Sequence, residues 1–229
     1  MHAGGQEFES PILHGVLPHI IIGSVITMFE NNTTIALFPS ALMASSYHSS
    51  FEEELNYIKG LEYGGEGPGE YVEQTLDTFV LDHPQLSNIR KFIESKIDSY
   101  LSEVMCTDSK LRITQSWVNK LPKGKQHSFH FHPNSILSGV FYLVSNRDHP
   151  QILFKSVNRR DFSFPPKKVN QYNSHTFMLP TQSGDLIVFP SNLYHTVVPN
   201  ASDTPRMSIS FNTWPDSPIG DIDDLTLVP

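Results

Sequence analysis

His130 and His132 stand two residues apart in the run His130-Phe131-His132-Pro133. Side chains two apart on a strand project to the same face, so an extended segment here presents both imidazoles to one side. Two imidazoles are half of a metal site. His195, in Tyr194-His195-Thr196, can bring a third nitrogen from a distant strand, and three nitrogens on one face of a divalent ion leave its opposite face open to incoming ligands. Further on, Arg206 and Ser208 in Arg206-Met207-Ser208 share a strand face by the same alternation, which sets a fixed cation and a hydroxyl beside the metal.

Each of these residues has a plainer reading. A single strand histidine is more often a hydrogen-bonded structural residue, an arginine can pair with a surface carboxylate, and Ser208 can be an ordinary strand hydroxyl. The paired spacing, the third histidine and the nearby arginine favour metal binding jointly where none would alone. His127 lies three residues before His130, so a regular strand turns it away, toward the surface or into support of the ligands. His175 is expected near the mouth of the site, and His2, His14, His19, His48, His83 and His149 read as incidental. Trp117, Phe141, Phe189, Phe211 and Trp214 read as core, with Trp214 also a candidate for the mouth.

A chain of 229 residues can bury one sizeable core, so a single main domain is expected. The formal charge of -8, from 16 basic and 24 acidic residues, excludes a broad electrostatic footprint for nucleic acid or anionic membrane. A small-molecule or protein substrate stays open, as does the oligomeric state. The lone Cys106 leaves no internal disulfide framework and suits a reducing compartment, the cytoplasm, or the host cytoplasm for a phage-encoded chain. Pro11 to Phe29 carries no Asp, Glu, Lys or Arg. Its prolines, glycines and histidines, with no basic flank, argue against a membrane span or export signal. Ile20–Phe29 and Thr34–Phe38 are expected to form a hairpin, and the first ten residues to be disordered.

The elements that must position the site follow from period and punctuation. Phe51–Leu61 and Pro84–Met105 have apolar residues at helical spacing, with Pro84 suited to a first turn. Tyr63–Gly69 holds four glycines and a proline and reads as a connector, since a phosphate loop would need a following Lys-Ser or Lys-Thr. After Cys106 the chain becomes short strands: Leu111–Asn119, His127–His132, Ser138–Val144, Gln151–Lys155, His175–Leu179, Leu186–Pro190, His195–Val198 and Arg206–Thr213. Turn residues separate them, the pattern of a sandwich or barrel.

The ordered runs Trp117-Val118-Asn119, His130-Phe131-His132-Pro133-Asn134-Ser135, Leu137-Ser138-Gly139-Val140-Phe141-Tyr142-Leu143, Gly184-Asp185-Leu186-Ile187-Val188-Phe189-Pro190-Ser191, Leu193-Tyr194-His195 and Arg206-Met207-Ser208-Ile209-Ser210-Phe211-Asn212 together resemble the iron(II)/2-oxoglutarate-dependent oxygenases of bacteria and phages, distant relatives of prolyl 4-hydroxylases. The resemblance spans about residues 34 to 214. It implies a mainly β fold with leading α-helices, a double-stranded β-helix or cupin-like jelly roll with the metal at its mouth. The domain plan it suggests is an extension over 1–33 with a strand, an oxygenase domain over 34–214 and an acidic tail over 215–229.

Residue by residue, the resemblance makes His130 the first iron ligand and His195 the distal one. It places His132 where the superfamily usually has Asp or Glu. Three neutral imidazoles then leave the full charge of Fe(II) to be balanced by incoming anions, which dianionic 2-oxoglutarate can supply. Arg206 and Ser208 match the clamp on the keto acid's distal carboxylate, a guanidinium fork plus a hydroxyl, and Asn119 and Tyr142 are weaker candidates for polar contacts to it. The implied activity is that of a dioxygenase, in which O2 is consumed, 2-oxoglutarate becomes succinate and CO2, and an unidentified substrate is hydroxylated, with ascorbate as a supporting reductant. Two other readings of the residues stay open: a cupin-like three-histidine dioxygenase that needs no keto acid, and a non-enzymatic metal-binding jelly roll.

Overall fold

The computed structural model describes residues 39–64, 72–156 and 164–228. The hairpin and the disorder expected before residue 39 lie outside them. In chain order the elements are β1 (Met43–Ser46), α1 (Glu52–Lys59), β2 (Tyr63–Gly64), β3 (Glu73–Thr75), α2 (Ser87–Glu103), β4 (Leu111–Leu121), β5 (His127–His130), β6 (Leu137–Val144), β7 (Ile152–Lys155), β8 (Thr176–Leu179), β9 (Asp185–Pro190), β10 (His195–Val197) and β11 (Arg206–Pro215). A single 3-10 turn opened by Pro84 leads into α2, where the missing proline N–H costs nothing.

Two antiparallel sheets build the jelly roll, one ordered β1-β9-β6-β11-β4-β3-β2 and the other β5-β10-β7-β8. Strand alternation divides the larger sheet between two cores. Val118, Phe141, Leu143, Leu186, Val188, Met207, Ile209 and Phe211 meet Ile89, Ile93, Ile97, Tyr100 and Leu101 of α2 on one face. Val140, Tyr142, Ile187 and Phe189 meet Ile152 and Phe154 of the smaller sheet on the other. Burial of each such side chain is worth roughly 1.5–3 kcal/mol. Gly139 makes one close approach possible, because a Cβ there would lie 2.2 Å from Phe211 Cζ and 2.8 Å from the Ile187 carbonyl oxygen.

The sequence expectations differ from the fold at the short elements. Tyr63 and Gly64 are not connector but strand, paired with Thr75 and Gln74, while 65–71 lie outside the described residues. Strands β1 and β3, of four and three residues, carry too little alternation to be visible in sequence. Strand β5 stops at His130, so His132 sits just beyond it. Pro39–Ser217 form one compact unit. In the tail, Ile219 and Val228 exchange backbone hydrogen bonds of 3.0 and 2.7 Å. Among the described residues no helix is long and apolar enough to cross a membrane.

Candidate metal centre and its pocket

The predicted imidazoles converge. One ligand nitrogen from each of His130, His132 and His195 can be chosen so that all lie within 4.8 Å of one another, and ring centroids are 4.3 Å apart for His130 and His195, 5.0 Å for His130 and His132, and 5.2 Å for His132 and His195. Strand pairing places His195 opposite His130. His132 comes in after the strand, held by its backbone N–H donating to the Ser191 carbonyl at 2.9 Å. The chain then reverses through Asn134 at a φ of 55°, a left-handed conformation that asparagine tolerates.

Backbone carbonyls fix two of the three rings. Nδ1 of His130 lies 2.8 Å from the Ser128 oxygen and Nδ1 of His195 lies 2.8 Å from the Leu193 oxygen. A carbonyl only accepts, so both Nδ1 atoms carry the proton and both Nε2 lone pairs are free for a metal. Phe189 and Phe154 back the His195 ring at 5.1 and 5.8 Å. Burial, reinforced by the neighbouring imidazoles, lowers His195 to about 3 and His132 to about 4. Burial also lowers His130, against the hydrogen bond to Ser128. All three are therefore neutral near pH 7 and need lose no proton to coordinate. Among the described residues no Asp or Glu joins the group, so the donor set is wholly imidazole. That suits Fe(II), though nitrogen donors alone select no single metal.

Arg206 and Ser208 line the same pocket. Arg206 is only 3 % exposed, and no carboxylate pairs with it among the described residues. Its Nε is buried without a hydrogen-bond partner, and its guanidinium carbon lies 4.8 Å from the Tyr142 ring centroid. An unpaired buried cation is costly enough that the arrangement calls for an anionic ligand. Tyr142 sits beneath the guanidinium rather than in the pocket lining. Its hydroxyl, beside Thr181 and Arg206, makes no well-formed hydrogen bond, and burial raises its pKa against the pull of Arg206. Asn119 lines the pocket, but its amide is engaged by Gln74 at 2.9 Å and by Ser210 at 2.8 Å.

His127 departs from expectation. Its ring stacks on His130 at 4.3 Å with planes 27° apart, and it lines the pocket instead of facing away. The cause is a β-bulge: His195 pairs with His130 but Val197 pairs with His127, so two steps on β10 match three on β5. The extra residue returns His127 to the inner face. Burial, then the His130 imidazole, lowers it to about 4. Trp117, expected in the core, also lines the pocket, 6.0 Å from His132, with its indole nitrogen buried and unpartnered. His175 is exposed and outside the lining. Trp214 is 40 % exposed and likewise outside it.

A buried hydroxyl network holds the ligand loop. Ser191 Oγ lies 2.8 Å from both Ser135 Oγ and Ser138 Oγ, and Ser138 donates to Asn212 Oδ1 at 2.8 Å. Thr213 Oγ1 donates to the Leu137 carbonyl at 2.8 Å. These bonds tie the turn after His132 to the turn before His195.

Residues 115–212 match the family model "Putative 2OG-Fe(II) oxygenase". No curated protein matches the chain in sequence. Among solved structures, HygX from Streptomyces hygroscopicus with nickel, 2-oxoglutarate and hygromycin B bound is similar with a TM-score of 0.57 at 10 % identity, covering 77 % of this chain and 84 % of that one. The α-ketoglutarate-dependent epimerase SnoN from nogalamycin biosynthesis gives 0.55 at 13 % identity, over 76 % and 78 %. A prolyl-4-hydroxylase from Pseudomonas putida gives 0.50 at 12 % identity, over 76 % and 92 %. At such identities these structures establish the fold.

Proposed function

We infer that the chain is an Fe(II)- and 2-oxoglutarate-dependent oxygenase, the class indicated by its family match, and that it hydroxylates a small-molecule or protein substrate held at the pocket mouth. His130, His132 and His195 would hold the iron, and Arg206 with Ser208 the distal carboxylate of the keto acid. Bound iron and keto acid together supply oxygen activation, coupling decarboxylation to succinate and CO2 with oxidation of a substrate C–H bond.

The observation that carries this reading is Arg206, buried, cationic and without a carboxylate among the described residues, in one pocket with three neutral imidazoles. Fe(II) and the guanidinium bring three positive charges to this site, and the imidazoles offset none of them. A dianionic keto acid lowers that total and gives the guanidinium its missing partner. Fixed Nδ1 protons keep the His130 and His195 rings from rotating, and the Phe154 and Phe189 rings exclude water behind His195. A three-histidine dioxygenase without keto acid would leave the Arg206 charge uncompensated, which disfavours it.

Anaerobic titration of the purified chain with Fe(II) and then 2-oxoglutarate tests the reading. One iron per chain and a weak visible charge-transfer band on keto-acid addition are expected, followed by slow succinate formation on admitting O2 with ascorbate. Substrate oxidation with no succinate would favour the keto-acid-independent dioxygenase. Failure to bind 2-oxoglutarate at all would overturn the assignment of the cosubstrate.

A further inference from the structure

A row of hydrogen bonds crosses three strands of the larger sheet in one direction. Gln74 Nε2 on β3 donates to Asn119 Oδ1 on β4, and Asn119 Nδ2 donates to Ser210 Oγ on β11. With the Asn119 oxygen occupied by Gln74, only its nitrogen is left for Ser210, and Ser210 must accept. A hydroxyl that accepts in this way still has its own proton to give. Ser210 is 8 % exposed and lines the pocket, and among the described residues nothing accepts that proton.

Position along β11 says which end of a ligand it meets. Arg206 pairs with Leu121, Ser208 with Asn119 and Ser210 with Trp117. These three inward residues lie at intervals of about 7 Å along the strand. Trp117 is the residue whose ring lies 6.0 Å from His132, so Ser210 occupies the row nearest the imidazoles and Arg206 the row farthest from them. The Trp117 indole nitrogen, a donor only, is buried there without an acceptor. The wall facing the imidazoles thus offers proton donors at both ends.

We propose that Ser210 is a cosubstrate-binding residue whose hydroxyl, aimed into the pocket by the Gln74–Asn119 relay, donates to an oxygen at the metal-side end of bound 2-oxoglutarate. Asn119 is then a positioning residue that acts through Ser210 and makes no contact of its own with the keto acid. The proposal rests on the cosubstrate assignment above and adds to it a donor beyond the Arg206–Ser208 pair.

Anaerobic calorimetry on the full chain loaded with Ni(II) separates the possibilities, using 2-oxoglutarate and pyruvate, which carries the metal-side end alone. Ser210→Ala should weaken both ligands about tenfold, as loss of one hydrogen bond to a charged group predicts, and Ser210→Thr should restore them. Arg206→Ala should weaken 2-oxoglutarate while sparing pyruvate. Asn119→Ala should weaken 2-oxoglutarate several-fold in the wild-type background and not at all beside Ser210→Ala. Unchanged affinities in Ser210→Ala, or a loss confined to 2-oxoglutarate, would overturn the assignment of Ser210 to the metal-side end. Additive losses in the double variant would overturn the relay. A wild-type chain that binds pyruvate but not 2-oxoglutarate would overturn the cosubstrate reading instead. If Asn119→Ala fails to fold, the Ser210→Ala and Ser210→Thr pair decides the contact.

Discussion

Replacing Arg206 with methionine should make the ligand-free protein more stable and remove most of the stabilisation that ligand brings. Arg206 is 3 % exposed with no paired carboxylate among the described residues, and burying such an ion costs several kcal/mol after relaxation. Its contact with the Tyr142 ring at 4.8 Å returns about 2 kcal/mol when desolvated. The net penalty is then on the order of 1–3 kcal/mol, and methionine, of similar length and uncharged, relieves it. At about 2–4 °C per kcal/mol for a domain of this size, the melting midpoint of Arg206→Met should rise by roughly 2–12 °C. Ligand shifts the balance toward wild type by about 2 kcal/mol. Wild type at 100 times its Kd for 2-oxoglutarate gains about 2.7 kcal/mol. Loss of a buried charge-assisted pair costs the variant about 2–5 kcal/mol in binding, roughly 30-fold or more, so its gain falls below about 1 kcal/mol. Thermal scans of the Ni(II)-loaded proteins, with and without 2-oxoglutarate, measure both halves. A variant less stable than wild type without ligand and equally stabilised by it would refute the unpaired-cation argument.

Three further outcomes are expected. His132→Asp should retain iron binding with a displaced charge-transfer energy, while His132→Ala should lose affinity by about 10-fold or more; indistinguishable iron titrations and spectra for both variants and wild type would remove His132 from the centre. Ser191→Ala removes the two bonds to the Ser135 and Ser138 hydroxyls and, at about 0.5–1.5 kcal/mol for each, should cost about 1–3 kcal/mol, read as a lower urea midpoint together with weaker metal binding, and an unchanged midpoint would deny the network its role. In the metal-free protein His127 and His132 sit at about 4 and His195 at about 3, against about 6.5 in the unfolded chain. The unfolded chain therefore binds more protons between those limits. Stability is fully present above about pH 6.5 and falls as pH drops toward the folded values. His127→Phe should flatten that fall in urea midpoints taken from pH 7 to 5, and a slope equal to wild type would count against a buried neutral His127.

The histidine triad is legible in the sequence because its signal is local. Two histidines two residues apart and a third beside a turn suggest the group, although β5 stops at His130 and the Ser191 carbonyl, not alternation, holds His132 in place; Arg206 and Ser208 do obey alternation. The helix over 87–103 is legible because an apolar stripe sustained at helical period over that length fits neither a strand nor a loop. What the sequence hides is non-local. The segment His127-Ser128-Phe129-His130 reads as a regular strand, and the bulge that turns His127 inward exists only in its pairing with His195 and Val197. Trp117 carries no mark separating a core indole from one at a pocket wall. Its missing acceptor is a fact of packing. Asn119 does line the pocket, yet its engagement by Gln74 depends on β3, a three-residue strand below the length at which periodicity speaks.

Strand β11 sorts genetic damage by parity. Arg206, Ser208 and Ser210 face the pocket, whereas Met207, Ile209 and Phe211 lie in the core against the helices. A lesion at an odd position acts on how much folded protein a cell keeps, since a truncated core side chain costs about 2–5 kcal/mol, comparable to the whole margin of stability. A lesion at an even position can leave abundance intact and produce a well-folded, inert chain. Neighbouring codons would thus yield opposite phenotypes, one rescued by lower temperature or chaperones and the other by neither. The register shift between Asn212 and Thr213 leaves this comb in step and falls instead on β4, where the core side passes from even Val118 to odd Ile113 and Leu111.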